Sequence, residues 1–283
     1  MTVTYHFDQA AGYSLVQLAE LVTAAFHGYA VPVNETPARL ARLIRVQGLD
    51  LANSVVVRCG GQLVGVSFLG LRNTRAWVSA FGIIPAFRGR GLARRLLDQL
   101  IVQARSAGAH DVRLEVLVGN PLARRVYLQS GFRVQRELVT VERSAWSSLP
   151  APSSNLRIER VDVDIAVRHA AAIEQTPACW QREAPSLTTG SANGLLVTYG
   201  NRVVGCALHT NRDGAVALHH ICTTPPQASA AVGAVMAHLV GSAATAGRHV
   251  TLLNEPDPKG LVVSLASHGF RETMRQLELL LEL

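Results

Sequence analysis

Lysine is almost missing from this chain of 283 residues: 26 of its 27 basic residues are arginine, and the exception is Lys259. Such a bias, in an alanine-rich chain, is the mark of a GC-rich genome more than of a nucleic-acid surface. Aromatic residues are also scarce, at 5%, and the arginines are not interleaved with them as a strand-binding groove requires. No nucleic-acid partner is expected. The four cysteines, Cys59, Cys179, Cys206 and Cys222, lie far apart with no C-x-x-C spacing, so neither a disulfide framework nor a metal site is expected. No apolar run approaches the roughly 18 residues that span a bilayer. The opening Met1-Thr-Val-Thr-Tyr-His has no basic segment leading into an apolar stretch. A soluble, cytoplasmic chain with no membrane association is the expectation.

What is present is enough for a core: 48% of residues are hydrophobic and 17% charged, outside the disordered range. At about 100–200 residues per domain, the length favours two domains. Charge divides the same way. Residues 1–150 hold 17 arginines against 9 acidic residues, a net of +8, whereas residues 151–283 hold 10 basic against 11 acidic, a net of −1. The basic excess predicts an anionic ligand in the first half.

Residues 2–7 alternate as a short strand, and 13–27 and 36–46 carry apolar positions at helical spacing. Ser54–Cys59 and Leu63–Leu69 flank Gly60-Gly61, the pattern of a hairpin. A strand over 75–84 ends at Pro85, and an amphipathic helix over 90–107 stops at Gly108. Strand 112–118, helix 121–130 and strand 132–141 follow. The class is α/β, with a helix after each of two central strands.

A Ser- and Pro-rich stretch over 146–155 reads as a linker, which sets the expected domains at 1–145 and 156–283. The second repeats the first. Leu63-Val64-Gly65 matches Val203-Val204-Gly205 at an offset of 140, and Pro85 then falls on Pro225. Ser106-Ala-Gly-Ala-His matches Thr245-Ala-Gly-Arg-His at 139, and Ser130-Gly-Phe-Arg matches His268-Gly-Phe-Arg at 138. Ordered matches at a nearly constant offset point to tandem duplication.

The chemistry concentrates in Phe81-Gly-Ile-Ile-Pro-Ala-Phe-Arg88-Gly-Arg-Gly-Leu-Ala93. A strand ends at Pro85, and a glycine-bearing loop opens a long helix. The unpaired N–H groups of a first helical turn converge on one point, where the helix dipole adds about half a positive charge. That is a cradle for an anion such as a pyrophosphate, with Gly89 and Gly91 permitting close approach to the backbone. The loop fits neither the Walker pattern nor the dinucleotide fingerprint.

A second cluster follows about 30 residues on: Asn120-Pro-Leu-Ala123-Arg-Arg-Val-Tyr127-Leu-Gln-Ser-Gly131-Phe132. With Arg88-x-x-Gly91-x-Ala93 it resembles the GNAT N-acetyltransferase superfamily, across residues 2–143 closely and 156–283 in outline. The resemblance implies tandem acyl-CoA N-acyltransferase folds, each a central mixed β-sheet flanked by helices. It implies acetyl-CoA as donor and co-substrate, with no metal, and a primary amine acceptor on a small molecule or peptide N-terminus. Arg88, Gly89, Arg90, Gly91, Leu92 and Ala93 would bind the pyrophosphate. The backbone at Gly82, Ile83 and Ile84 would pair with the pantetheine arm, and Asn120 would face the cofactor.

Tyr127 would be the general acid, a phenol that stays protonated at neutral pH. A core aromatic on a helix is the other reading of that position. Glu115, in Leu114-Glu115-Val116, is similar to the base of enzymes that acetylate a ribosomal protein's N-terminus; pairing with Arg113 or Arg124 is its structural alternative. His27 and Tyr29, between the first two helices, fall where the family forms its acceptor pocket. Phe26 and Trp77 are expected in the core.

The second half departs from the pattern. Opposite Arg88–Ala93 stands Ala228-Ser-Ala-Ala-Val-Gly233, and opposite Tyr127 stands Leu265. A degenerate, non-catalytic copy is expected there, with His219-His220 structural or part of a pocket wall. The alternative function is a non-catalytic acyl-CoA-binding or interaction protein. Both a monomer and a dimer are compatible with two fused copies.

Overall fold

The computed structural model describes residues 4–144, 155–173, 176–212, 215–241, 249–256 and 260–283. The expected linker, but for Asn155, lies outside the described residues, as do Thr245 to Arg248 of the repeat match.

The first half runs β1 (Tyr5–Gln9), α1 (Leu15–Ala25), α2 (Pro37–Gln47), β2 (Leu49–Cys59), β3 (Gln62–Arg72), β4 (Arg75–Ile83), α3 (Leu92–Ser106), β5 (Asp111–Leu117), α4 (Pro121–Gln129) and β6 (Arg133–Arg143). The second half repeats that order: β7 (Leu156–Val161), α5 (Val163–Ile173), α6 (Ala184–Thr189), β8 (Asn193–Tyr199), β9 (Arg202–Arg212), β10 (Ala215–Thr223), α7 (Ala228–Val240), β11 (His249–Glu255), α8 (Leu261–Ala266) and β12 (Phe270–Glu282). Each half is thus a mixed sheet with flanking helices, as the repeat in the sequence implied.

The compact units do not divide at the Ser/Pro-rich stretch. One comprises residues 1–135 with 277–283, the other 136–276. Each sheet is therefore completed by the last strand of the opposite half. The first unit orders its strands β1-β2-β3-β4-β5 and adds 277–283 of β12 beside β5, where the Leu283 N–H meets the His110 carbonyl at 2.9 Å. The second orders them β7-β8-β9-β10-β11 and adds β6 beside β11, with Val250 opposite Arg143 and Leu252 opposite Val141. Chain order alone cannot reveal such an exchange, because β6 and β12 have equivalent patterns.

Local signals fix the helix ends. Ser14 and Gln17 form a reciprocal capping box on α1, and Thr36 caps α2 ahead of Pro37. In the first unit β3 is buried continuously from Val64 to Gly70, which requires cover on both faces. Helix α1 packs on β3, and α3 packs on β2 and β3 through Leu92, Leu96, Leu97 and Leu100.

Candidate active site

In the first unit, β4 and β5 run parallel and pair only from Arg75–Asp111 to Trp77–Arg113. Beyond that point they part. The cause lies in β4, where Ala80 adopts φ +50 and the register against β3 slips between Val66 and Phe68. One extra residue in β4 makes a bulge, which bends the strand away from its neighbour. A non-glycine residue with positive φ costs on the order of 1–2 kcal/mol, strain of the kind that marks functional sites.

Register decides which strand-end groups face the opening. The Ile84 N–H donates to the Val64 carbonyl at 2.9 Å, and Gly65 lies opposite Ile83. By alternation Gly82 also faces β3, and Ile83 turns its N–H and carbonyl the other way. Of the three residues expected to pair with a pantetheine arm, Ile83 alone offers an outward N–H, whereas that of Ile84 is spent in the sheet. Gly82 serves packing: an added Cβ would lie 3.1 Å from Ala25 Cβ and 3.4 Å from Phe26 Cε2.

The loop after β4 leads into α3, whose N-cap Gly91 has φ +73 and no side chain capping the helix. Gly89 has φ +72, and an added Cβ at either glycine would meet nothing within 4 Å. The N–H groups of Leu92 and Ala93, at the start of α3, have no intrahelical acceptor. The arginines of the loop are turned elsewhere. Arg90 donates to the Ala86 carbonyl at 3.1 Å and lies over the Phe87 ring. Arg88 donates from Nε to the Ile83 carbonyl (2.9 Å), and from Nη2 to the carbonyls of Ala25 (2.9 Å) and His27 (3.3 Å). Its guanidinium thus ties the end of α1 to the end of β4.

That clamp separates two functions for Arg88. Arg88→Gln is expected to shift the Kd of a pyrophosphate-bearing ligand at the α3 start by less than about threefold, while amides over 26–36 exchange about tenfold faster, as loss of charged hydrogen bonds at one anchor implies. Titration calorimetry and hydrogen exchange check this; a large rise in Kd with unchanged exchange would make the side chain a phosphate ligand instead.

Helix α4 carries the second cluster. Asn120 caps it, its Oδ1 accepting from the Ala123 N–H at 3.1 Å, and its side chain lies close enough to Tyr29 to favour ionisation of that phenol. Tyr127 is 5% exposed, with ring centroids 5.6 Å from Phe81 and 6.0 Å from Phe132. Burial pushes its phenol well above the ordinary value, and neighbouring Tyr29 opposes ionisation further. Burial also raises Tyr29, against the smaller opposing effect of the nearby Asn120 side chain. Tyr29, Asn120 and Tyr127 therefore come together. The core-aromatic reading of Tyr127 matches its packing between Phe81 and Phe132, and its burial favours the protonated hydroxyl.

Glu115 sits on β5 past the divergence, and its Oε2 accepts from Trp77 Nε1 at 2.8 Å. Trp77 is buried, as expected of a core residue, yet its indole also holds the carboxylate. Arg113 pairs with Asp111 instead. Nothing local in the sequence marks that tryptophan as a partner, although it stands on the strand beside Glu115. His27 does not join the tyrosines. It lines a groove of about 680 Å³ with Glu20, Thr23, Ala24, Glu35, Ile84, Pro85 and Ala86. Glu20, Thr23, Ala24 and His27 are spaced i, i+3, i+4, i+7 along α1 and its end, one helix face whose spacing could have been read from the sequence.

The second unit is built differently at the equivalent points. Only residues 224–227 separate β10 from α7, against 84–91 between β4 and α3. Ala228 begins α7 itself, and Leu265 is buried on α8. His219 Nε2 lies 3.1 Å from Thr210 Oγ1, and His220 Nε2 lies 2.7 Å from the Arg182 carbonyl.

The model of the acetyltransferase (GNAT) family matches residues 17–132, the span that contains both clusters. The first unit carries a GNAT acetyltransferase domain. An uncharacterised N-acetyltransferase of Bacillus subtilis, YycN, is 38% identical over 58 residues, 20% of this chain and 37% of that protein, so the chain spans little more than a third of this relative. The whole chain is similar in fold to a GCN5-related N-acetyltransferase from Sphaerobacter thermophilus (TM-score 0.71, 18% identity, 99% of this chain and 95% of that one). It is equally similar to a tandem GNAT protein from the clavulanic acid biosynthesis pathway (TM-score 0.71, 15% identity, 99% and 98%). At such identities the likeness is one of fold, and the GNAT fold occurs here in tandem. Among the described residues, no cluster of three or more His, Cys, Asp or Glu is arranged to hold a metal, and no helix is long and apolar enough to cross a membrane.

Proposed function

We propose that the first unit transfers an acetyl group from acetyl-CoA to a primary amine by direct attack of the amine on the thioester. The observation that carries this reading is the buried, protonated Tyr127 beside Tyr29 and Asn120, in the same unit as an uncapped α3. The α3 cradle fits a pyrophosphate: two left-handed glycines, open space where a Cβ would stand, and backbone N–H groups with no intrahelical acceptor. Gly89, Gly91, Leu92 and Ala93 would hold it through their backbone, with Arg88 and Arg90 shaping the loop. The Ile83 N–H would meet the donor arm at the open strand edge.

When bound, the donor supplies an activated acyl carbon and a thiolate leaving group. Tyr127 would donate its proton to that thiolate. Glu115, oriented by Trp77, would accept the proton that the amine loses, directly or through water. The groove beside His27, with Glu20 and Glu35 on its wall, suits the approach of a protonated amine. In the second copy, the shorter connection before α7 and Leu265 in place of the tyrosine support a non-catalytic role.

Thiol release from acetyl-CoA across a panel of small amines, amino acids and peptides tests this. Turnover with at least one amine class is the expected result. Tight acetyl-CoA binding without turnover on any acceptor would favour a binding protein over an enzyme.

A further inference from the structure

The second unit also contains a parallel strand pair that opens. β10 and β11 pair from Ala215–His249 to Leu218–Leu252 and then separate, with a register slip in β10 between Leu218 and His220. Strands that part leave backbone groups without ladder partners, and buried polar groups must find others. Here one side chain supplies them. Arg182 Nε donates to the His219 carbonyl on β10, and its Nη1 donates to the Asn254 carbonyl on β11 at 3.1 Å. The same Nη1 lies 2.7 Å from Glu255 Oε2. Arg182 is 2% exposed, and Asn254 and Glu255 are each 3% exposed. The Arg182 carbonyl is itself held by His220, and the Asn254 N–H by Thr140 Oγ1 at 3.2 Å.

Arg182 comes from the short turn Trp180–Arg182 between α5 and α6. By element order this is the counterpart of the α1–α2 connection, which in the first unit brings Tyr29 to Asn120. One topological slot has two outcomes: a tyrosine beside the candidate donor site in the first unit, and an arginine fork across the strand opening in the second.

We propose that the second unit's cleft is permanently occupied by its own Arg182, so that the chain takes a single acyl-CoA, in the first unit; the stoichiometry rests on the donor reading above. A ligand entering between β10 and β11 would have to displace the guanidinium and leave Glu255 buried without its charge partner, which is strongly unfavourable. The second unit keeps the fold because its cleft is filled from within.

Hydrogen exchange on the full chain, with and without acetyl-CoA, tests the plug directly. Arg182→Lys keeps a positive charge for Glu255 but loses the planar fork that spans two carbonyls. Exchange over 216–223 and 250–256 is expected to rise about tenfold in Arg182→Lys, and to be unaffected by acetyl-CoA in the wild type. Glu255→Gln, a gentler change, is expected to move the same segments in the same direction. Titration is expected to give one acetyl-CoA site in the wild type, and that one site weakened at least about a hundredfold in Gly91→Asp. Unchanged exchange in both variants, protection of these segments by acetyl-CoA, or a second acetyl-CoA site in the wild type would overturn the proposal. A wild type that binds no acetyl-CoA would sink the donor reading, while the exchange comparison would still decide the plug.

Discussion

Gly91→Asp is expected to weaken acetyl-CoA binding by at least about a hundredfold while leaving the chain folded. The size follows from two effects that act together. Gly91 stands at the N-cap of α3 with φ +73, and the helix start there presents free N–H groups and the positive end of the dipole. An aspartate side chain is a good acceptor for those N–H groups, so it would occupy the cradle that an anion needs. Its charge would also repel a pyrophosphate across a few ångströms. Loss of charge-assisted hydrogen bonds at about 1.5–3 kcal/mol each makes a hundredfold effect a conservative expectation.

Stability is affected far less than binding. Asp tolerates left-handed backbone better than most residues and caps the helix it begins, so the net change in stability is expected to stay within about 1 kcal/mol. Gly91→Ala separates strain from charge. An alanine Cβ meets nothing within 4 Å, so it carries only the backbone cost, about 1–2 kcal/mol, and no repulsion. Titration calorimetry paired with thermal denaturation reads both terms. Wild-type affinity in Gly91→Asp would remove the donor from α3 altogether.

Most of the fold and part of the site were legible in the chain, for identifiable reasons. Helices α2, α3 and α4 carry their own punctuation in Thr36-Pro37, Gly91, Gly108 and Asn120-Pro121, and the structure starts or ends them within about two residues of those signals. Strand β3 was visible as an apolar run. The beginning of β2 at Leu49 was not, because Asp50 and Asn53 make a turn-like pattern that a hydrogen bond from Asn53 Nδ2 to Asp50 holds within the strand. The exchange of β6 and β12 was invisible, since it depends on which of two equivalent strands closes which sheet.

At the site, motif residues showed their presence but not their direction. Arg88 is legible as a loop arginine, yet only three-dimensional structure shows it spanning Ile83, Ala25 and His27. His27 and Tyr29 are two residues apart in sequence and serve different places, one in the groove and one against Asn120. The Glu115–Trp77 bond crosses 38 positions of sequence and leaves no local trace. Arg182 had no signal, because a lone arginine in a polar connection reads as a solvated side chain until its burial is known.

Tyr127→Phe is expected to slow thiol release by about 10²–10⁴-fold, the range for loss of a positioned general acid, with acetyl-CoA affinity nearly unchanged. The substitution removes one oxygen and keeps the ring between Phe81 and Phe132, so the packing of α4 survives. The pH dependence adds a second test. A general acid works when protonated, and the Tyr127 phenol is held above its ordinary value by burial and then by Tyr29. Its contribution therefore persists from neutral pH through the alkaline range in which an ordinary phenol, near pH 10, would begin to ionise. The wild type is expected to show no fall in rate from this group below about pH 10, and Tyr127→Phe to lower the whole profile without changing its acidic limb. Linkage gives the same sign for stability. A group whose pKa is higher in the folded chain stabilises it below the unfolded value and loses that contribution as pH rises towards the folded one. Tyr127→Phe is thus expected to lose less stability above about pH 10 than the wild type does. Rates within a few-fold of wild type across the acceptor panel would strip Tyr127 of the acid role and leave it as packing between two phenylalanines.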